Sequence, residues 1–255
     1  GGTHAEAFAT SLISMHLTLY FGMFGAFELL DRFKLLQHYK IPRTQAQLPT
    51  FAMELRTMAE LVVGQVINYF LAKRLHDVMV NKLGAPLGTD PLPSFAKMVA
   101  SYSLSYTLNR ILFAMVHRLV HSRALYAIIH KKHHNYVGTV SIAAEHAHPV
   151  EAVTANLIPT IAGSVISRQH PLMWFIWLSW RLEETFEAHS GWCFYNSLPH
   201  KLGLTHADST AQHDCHHTIN RGNYGDTFSD HFMGTMDHWL SIGGAEGYLE
   251  LMRKQ

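Results

Sequence analysis

Sixteen of the twenty histidines lie beyond residue 116, and eight of these form three short groups: His117 with His121, His130 with His133 and His134, and His213 with His216 and His217. Neutral imidazole is the commonest protein ligand for iron, copper, nickel and zinc, so this density reads as a metal-centred site. Spacing sharpens the reading. HxxxH sets two imidazoles one helical turn apart, and HxxHH sets three on one helix face, so each group can aim at one point. Eight imidazoles exceed the four ligands of a structural zinc and the three of a catalytic one. Two metal ions are therefore the economical count. An isolated HxxxH is commonly a coincidence of composition; an HxxxH followed by two HxxHH groups is a stronger pattern.

Other donors are scarce. Cys193 and Cys215 form neither a disulfide framework nor a CxxC pair, which leaves the ligand set to histidine. Cys215 falls inside HDCHH, where a buried thiol is the expectation rather than a thiolate ligand. Glu145 and His148 make an ExxH, the unit that carboxylate-rich di-iron bundles use in pairs, and no second copy follows. A nitrogen-rich site is expected instead. Neutral ligands leave more positive charge on the metals, which favours an electrophilic oxidant.

The elements that must carry these groups look like membrane helices. Only 15% of residues are charged against 48% hydrophobic, well under the usual quarter, while a formal charge of +1 and the lack of a long basic patch point away from nucleic acid. Phe8 to Phe27 holds no Asp, Glu, Lys or Arg and is interrupted only by His16, long enough to cross a hydrocarbon core. A polar stretch with Pro42 and Pro49 fills residues 31 to 57, a shorter apolar run follows from Met58 to Leu71, and a loop rich in Gly and Pro spans Gly84 to Pro93. Ser94 to Val116 is a third span that ends at the first histidine group. Residues 152 to 166 and 171 to 182 read as a helical hairpin, which returns the chain to the side it left.

That parity places all three groups and residues 31 to 57 on one membrane face. This face carries nine Lys and Arg against four in the opposite loop, in agreement with a cytosolic side. The expected fold is all-α: an integral membrane helical bundle with a cytosolic, histidine-rich helical cap, residues 1 to 116 forming the membrane helices and 117 to 255 the catalytic region with its hairpin at about 152 to 182. Trp174, Phe175, Trp177 and Trp180 fit an interfacial belt better than a substrate passage. No signal peptide is recognisable, and an opening on Gly1 rather than methionine leaves room for an upstream segment.

The order HRLVH, HKKHH and HDCHH, with AEHAHPVE at 144 to 151, EAHSGW at 187 to 192 and GNYGD at 222 to 226, resembles the fatty acid hydroxylase superfamily, also called the sterol desaturase family. Its HRLVHSRALYAIIHKKHH stretch is most similar to the branch holding C4-methylsterol oxidases and cholesterol 25-hydroxylase. Residues 117 to 240 match well and 19 to 43 loosely. The resemblance implies an endoplasmic-reticulum membrane enzyme with a histidine-ligated di-iron centre. It would use O2 as co-substrate and electrons relayed by a separate cytochrome b5-type protein to oxidise an unactivated C–H bond of a lipid. The ligands it implies are His117, His121, His130, His133, His134, His213, His216 and His217, with His189 of EAHSG as a ninth. Some relatives carry a further histidine four residues before the ninth, where this chain has Thr185. His148 is either an additional ligand, an orienting residue behind one, or a helix-start residue before Pro149. Asn223 of GNYGD reads equally well as a turn residue.

Hydroxylation of a sterol or acyl lipid is the expected reaction, and desaturation on the same scaffold is the first alternative. A zinc-dependent hydrolase is the rival from another class, and it lacks the HExxH helix. A sensing or scaffold protein with vestigial groups is the third, disfavoured because all three groups are intact. Lys131 and Lys132 flank the second group, where they read as solvated lysines or as a docking patch for an acidic electron donor.

Overall fold

A computed structural model describes residues 2 to 254. Eleven α-helices and several short 3-10 turns make up the chain among the described residues. Three long helices come first: α1 (Gly2–Arg32), α2 (Phe51–Asn81) and α3 (Phe95–Val120). A helix follows that starts as α4 (Pro149–Glu151), widens into a π-helical turn (Ala152–Leu157) and continues as α5 (Ile158–Ile166). Next comes α6 (Pro171–Ala188), then a single turn α7 (Leu198–Lys201), α8 (Ala207–Ile219), α9 (Thr227–Met233), α10 (Asp237–Ser241) and α11 (Gly244–Arg253). The one extended pairing among the described residues is an isolated antiparallel bridge between Lys40 and Trp192.

Local chemistry sets the boundaries. Thr50, Ser94 and Asp226 cap α2, α3 and α9 by accepting from the backbone N–H three residues on, at 3.3, 3.4 and 2.8 Å. Pro171 opens α6, where its missing N–H costs nothing. The apolar run beginning at Met58 belongs to a helix of 31 residues, because Thr50 starts it and nothing breaks it before Asn81. Ala5, Phe8, Ala9, Leu12 and Tyr20 of α1 recur at helical spacing on one buried face, which packs against α2 and α6. Helix α3 packs along α5, and α8 lies between α6 and α11.

Two helical stretches, Gly2–Arg32 and Pro149–Ile166, are long and apolar enough to cross a membrane. Helices α2 and α3 fall short by composition, since Glu60, Lys73, Arg74 and Asp77 interrupt one and Lys97 and Arg110 the other. Their outer faces are nonetheless apolar: Val63, Ile67 and Phe70 of α2 and Met115 and Leu119 of α3 are exposed. A set of large apolar side chains turned outward on one bundle is what a lipid-facing surface looks like.

The tryptophans of α6 overturn the expected belt. Trp174 and Trp177 are buried. Trp174 meets Phe8 edge-on at 5.9 Å, while the Trp177 Nε1–H donates to the Thr160 carbonyl at 2.9 Å and its ring stacks on Trp180 at 5.9 Å. A belt needs rings free to reach headgroups. Here the π-helical turn and α5 bring a carbonyl within reach of the indole, so the rings become the packing between helices.

Candidate metal centre

All nine imidazoles named from sequence converge at one end of the bundle, in two adjacent groups. His117, His121, His130, His134 and His216 offer nitrogens within 4.8 Å of one another, and so do His133, His189, His213 and His217. Helix α3 ends in the first pair, with His121 as its C-cap residue. His189 is the C-cap residue of α6, and α8 carries the third group. The second group sits on a 3-10 turn, His130–Asn135, rather than an α-helix.

One expectation is corrected here. An HxxHH segment does not aim at one point. His130 and His134 face the five-nitrogen group while His133 faces the other, and His213 and His217 face the four-nitrogen group while His216 faces the first. Within α8, residues four apart share a face while the side chain three along is rotated by about 60° from the first, enough to divide that segment between two centres, and the 3-10 turn of residues 130 to 135 is divided in the same way. The second and third segments thereby bind the two groups into one unit.

The nitrogens that face inward are Nε2, because Nδ1 is committed outward on six rings. His117 Nδ1–H donates to the Tyr224 carbonyl at 2.6 Å, His216 to Gly222 at 2.6 Å, His217 to Tyr136 at 3.0 Å, His133 to His146 at 3.3 Å and His189 to Thr185 at 2.7 Å. His130 Nδ1–H donates to the Glu151 carboxylate at 2.7 Å. A carbonyl can only accept, so the proton on these rings is at Nδ1 and Nε2 carries a lone pair. Yet Nε2 of His117 stands 3.1 Å from Nε2 of His130, and Nε2 of His133 stands 3.4 Å from that of His189. Neither nitrogen of such a pair can donate.

Protonation would relieve the clash, and the site resists it. Burial holds His130 and His133 down at about 4, and His216 at about 3. His189 is pushed to about 3 by burial, by His133 and by the charge of Arg181. His134, His213 and His217 are pushed well down by burial and by their neighbours. A cation in each group would satisfy the converging lone pairs together. The spacing agrees. Nitrogens bound at about 2.1 Å from one metal stand about 3.0 Å apart at a right angle and about 3.4 Å apart at a tetrahedral one. The inward contacts here run from 2.9 Å (His213–His189) through 3.0 Å (His134–His130) and 3.2 Å (His216–His134) to 3.4 Å. The donor set therefore fits two metal ions, with five nitrogens for one and four for the other.

His148 joins neither group. It caps α4, its Nδ1 accepting from the Val150 N–H at 3.2 Å, which is the helix-start role. Glu145 of the ExxH pairs with His16 of α1 at 2.9 Å. Thr185 serves through its backbone, orienting His189. Cys215 is buried among Ala211, Trp239 and Tyr248, and burial with the adjacent Asp214 pushes its thiol up to about 12, so no thiolate is offered. Lys132 is tied to Glu60 at 2.8 Å, while Lys131 is exposed.

Sequence reasoning missed the layer behind the rings. Glu151 was quoted only as the end of a motif, yet it is the one carboxylate bonded to an inward-facing imidazole. The carbonyls of Gly222 and Tyr224 reach His216 and His117 because buried Asp230 accepts from the backbone N–H of Tyr224 (2.8 Å) and Gly225 (3.0 Å), the hydroxyl of Thr235 (2.5 Å) and the amide of Gln212 (2.9 Å). Asn223 lies at φ 54° and Gly222 at φ 69° in this loop, and a Cβ on Gly222 would stand 2.6 Å from the Thr235 carbonyl. Buried Asp214, within HDCHH, pairs with Arg43 and accepts from Thr139 (2.6 Å) and Tyr248 (2.5 Å), locking α8 to the segment before α2 and to α11. Asp214, a lone carboxylate inside the histidine segment HDCHH, was the available signal.

The comparisons with known proteins place this arrangement in a family. The fatty acid hydroxylase family model matches residues 103–235, a stretch that contains all nine rings. The chain belongs to the fatty acid hydroxylase family. It is 29% identical to methylsterol monooxygenase 2-2 of Arabidopsis thaliana, over 89% of this chain and 85% of that protein. It is 27% identical to C-4 methylsterol oxidase of Candida albicans, over 80% of this chain and 68% of the other. A very-long-chain aldehyde decarbonylase of rice is 29% identical over 89% of this chain and 84% of its own length. No solved structure matches. These relatives identify an oxidoreductase of monooxygenase type, and the family is iron-dependent.

Proposed function

We propose that this chain is a membrane-embedded di-iron oxygenase that hydroxylates a C–H bond of a lipid, with a sterol as the favoured substrate. The observation that carries the proposal is the paired nitrogen cage: two groups of imidazole Nε2 lone pairs, fixed by Nδ1–H donation outward, at metal-ligand spacing and without a carboxylate in either group. His117, His121, His130, His134 and His216 would hold one iron, and His133, His189, His213 and His217 the other. Bound there, the iron pair supplies O2 reduction and C–H oxidation.

The chain's own residues supply position and electronics. Carbonyls behind five rings and the Glu151 carboxylate behind the sixth fix tautomer and ring angle, and Glu151 adds anionic character to His130 alone, so that one ring is the most basic donor. Buried flanks keep bulk water from the centre and keep the imidazoles neutral at ordinary pH. Sterol-oxidising relatives support the substrate class, and the outward apolar residues Met115 and Leu119 of α3, on either side of His117, suit a lipid that arrives from the bilayer.

In this reading α1, α2, α3, the α4–α5 unit and α6 are the membrane bundle, and α7 to α11 form the cap on the cytosolic face of the endoplasmic reticulum. Residues 1 to 116 then supply the membrane helices and 117 to 255 the catalytic region. A separate cytochrome b5-type protein supplies electrons, for which exposed Lys131 offers one basic contact.

The test is anaerobic purification with metal analysis, followed by lipid extraction from membranes with and without the chain under 18O2. Two irons per chain and an 18O-labelled lipid alcohol are expected. An unsaturated product without label would make the reaction a desaturation. Zinc alone, with activity that survives iron withdrawal, would refute the oxygenase.

A further inference from the structure

Arg181 is a half-buried arginine whose side chain makes no ion pair among the described residues. It lies on α6 two turns before His189, on the same face as Thr185 and His189. Its guanidinium rests 5.5 Å from the Phe113 ring centroid, and Phe113 packs on His117 at 5.1 Å. Arg181 thus stands close to the first group through Phe113 and two helical turns from His189 of the other.

Among the described residues no ion pair or side-chain hydrogen bond answers that charge; only the face of Phe113 and carboxylates farther off do. Nε of Arg181 is sealed from solvent and makes no hydrogen bond, and among the described residues its guanidinium has no ion pair. The carboxylates in its neighbourhood are committed elsewhere: Glu184 to Arg110 at 2.5 Å and Glu145 to His16 at 2.9 Å. Other interior arginines are answered, Arg43 by Asp214 and Arg110 by Glu184 and Asp226. The terminal nitrogens of its fork are unbonded and not sealed, which leaves them open to an anion. The imbalance grows with metals in place, because neither nitrogen group contributes a carboxylate. With metals bound, Arg181 and the histidine groups would be neighbouring cationic features, and an anion there would relieve both.

We propose that Arg181 anchors a carboxylate on the lipid bound at this site, holding the adjacent carbon beside the two histidine groups. The planar fork of a guanidinium matches the two oxygens of a carboxylate. The apolar ring of Phe113 beside the guanidinium suits an anion carried by an amphiphile. That the amphiphile is a lipid substrate or product rests on the oxygenase reading above; that it is anionic rests on the unanswered charge.

The experiment is equilibrium binding of two acid and alcohol pairs, oleic acid with oleyl alcohol and 5-cholenic acid with its alcohol, to the full chain in nanodiscs, metal-free and iron-loaded. The unaltered chain should bind the acid at least tenfold tighter than the alcohol in one pair. Arg181→Met and Arg181→Gln should abolish that preference while alcohol binding stays within about twofold, and Arg181→Lys should keep part of it. Equal binding of acid and alcohol by the unaltered chain in both pairs overturns the proposal, as does a preference that survives in the Met or Gln variant. Iron content separates this failure from failure of the oxygenase reading. An Arg181-dependent preference in a chain that holds no iron would sink the oxygenase and spare the anchor, whereas two irons without the preference would do the reverse.

Discussion

Glu151 offers the sharpest perturbation, because one hydrogen bond links it to one ring. The His130–Glu151 contact is 2.7 Å long and its side chains are 1% and 5% exposed, so water cannot replace a lost partner. Glu151→Ala leaves a buried N–H unanswered, which costs about 1–3 kcal/mol, and removes the carboxylate that raises His130 basicity. Loss of such an outer partner typically lowers metal affinity about 10–100-fold. Glu151→Gln keeps an acceptor oxygen and loses only the charge, so it belongs at the low end, about tenfold or about 1.4 kcal/mol. The assay is competitive iron binding against a chelator under argon. Two binding steps are expected, and only the step that fills the His130 group should shift. Glu145→Gln, six residues away and paired with His16, should leave both steps unchanged. Equal iron affinity in Glu151→Ala and the unaltered chain would refute the argument that this carboxylate tunes the cage.

Three further outcomes follow from the same geometry. His133→Ala and His216→Ala, which empty different groups, should each abolish turnover and lower bound iron from two toward one per chain with membrane insertion retained, whereas His200→Ala, paired with exposed Asp208, should be nearly silent in both readouts. The metal-free chain should lose stability as pH falls from about 6.5 toward 4: unfolded imidazoles protonate near 6.5, His130 and His133 stay neutral in the fold until about 4, and in that window the unfolded chain binds more protons. Melting temperatures that stay flat over that range would contradict the buried-neutral assignment. Gly222→Ala forces a Cβ against the Thr235 carbonyl at positive φ and should cost about 1–3 kcal/mol, read as a lower melting temperature with weaker iron retention through His216.

By itself the sequence determined the class of the fold and the chemistry of the centre. Uncharged runs of helical length dictate helices, since a segment such as residues 8 to 27 has no cheaper way to bury its backbone polar groups beside apolar side chains. Three histidine-dense segments dictate a nitrogen-ligated site, because spacing within a segment survives any tertiary arrangement. Tertiary structure decided how those segments divide between two groups, for the sequence carries the angle between rings only if the local helix type is known, and residues 130 to 135 form a 3-10 turn. It decided that His148 caps a helix, that the α6 tryptophans face inward, and that Thr185 helps through its carbonyl. It also decided the orienting layer. Backbone carbonyls at Gly222, Tyr224, Tyr136 and His146 do that work, and a carbonyl has no letter of its own in the sequence; only folding brings it within 3.3 Å of a ring that lies elsewhere along the chain.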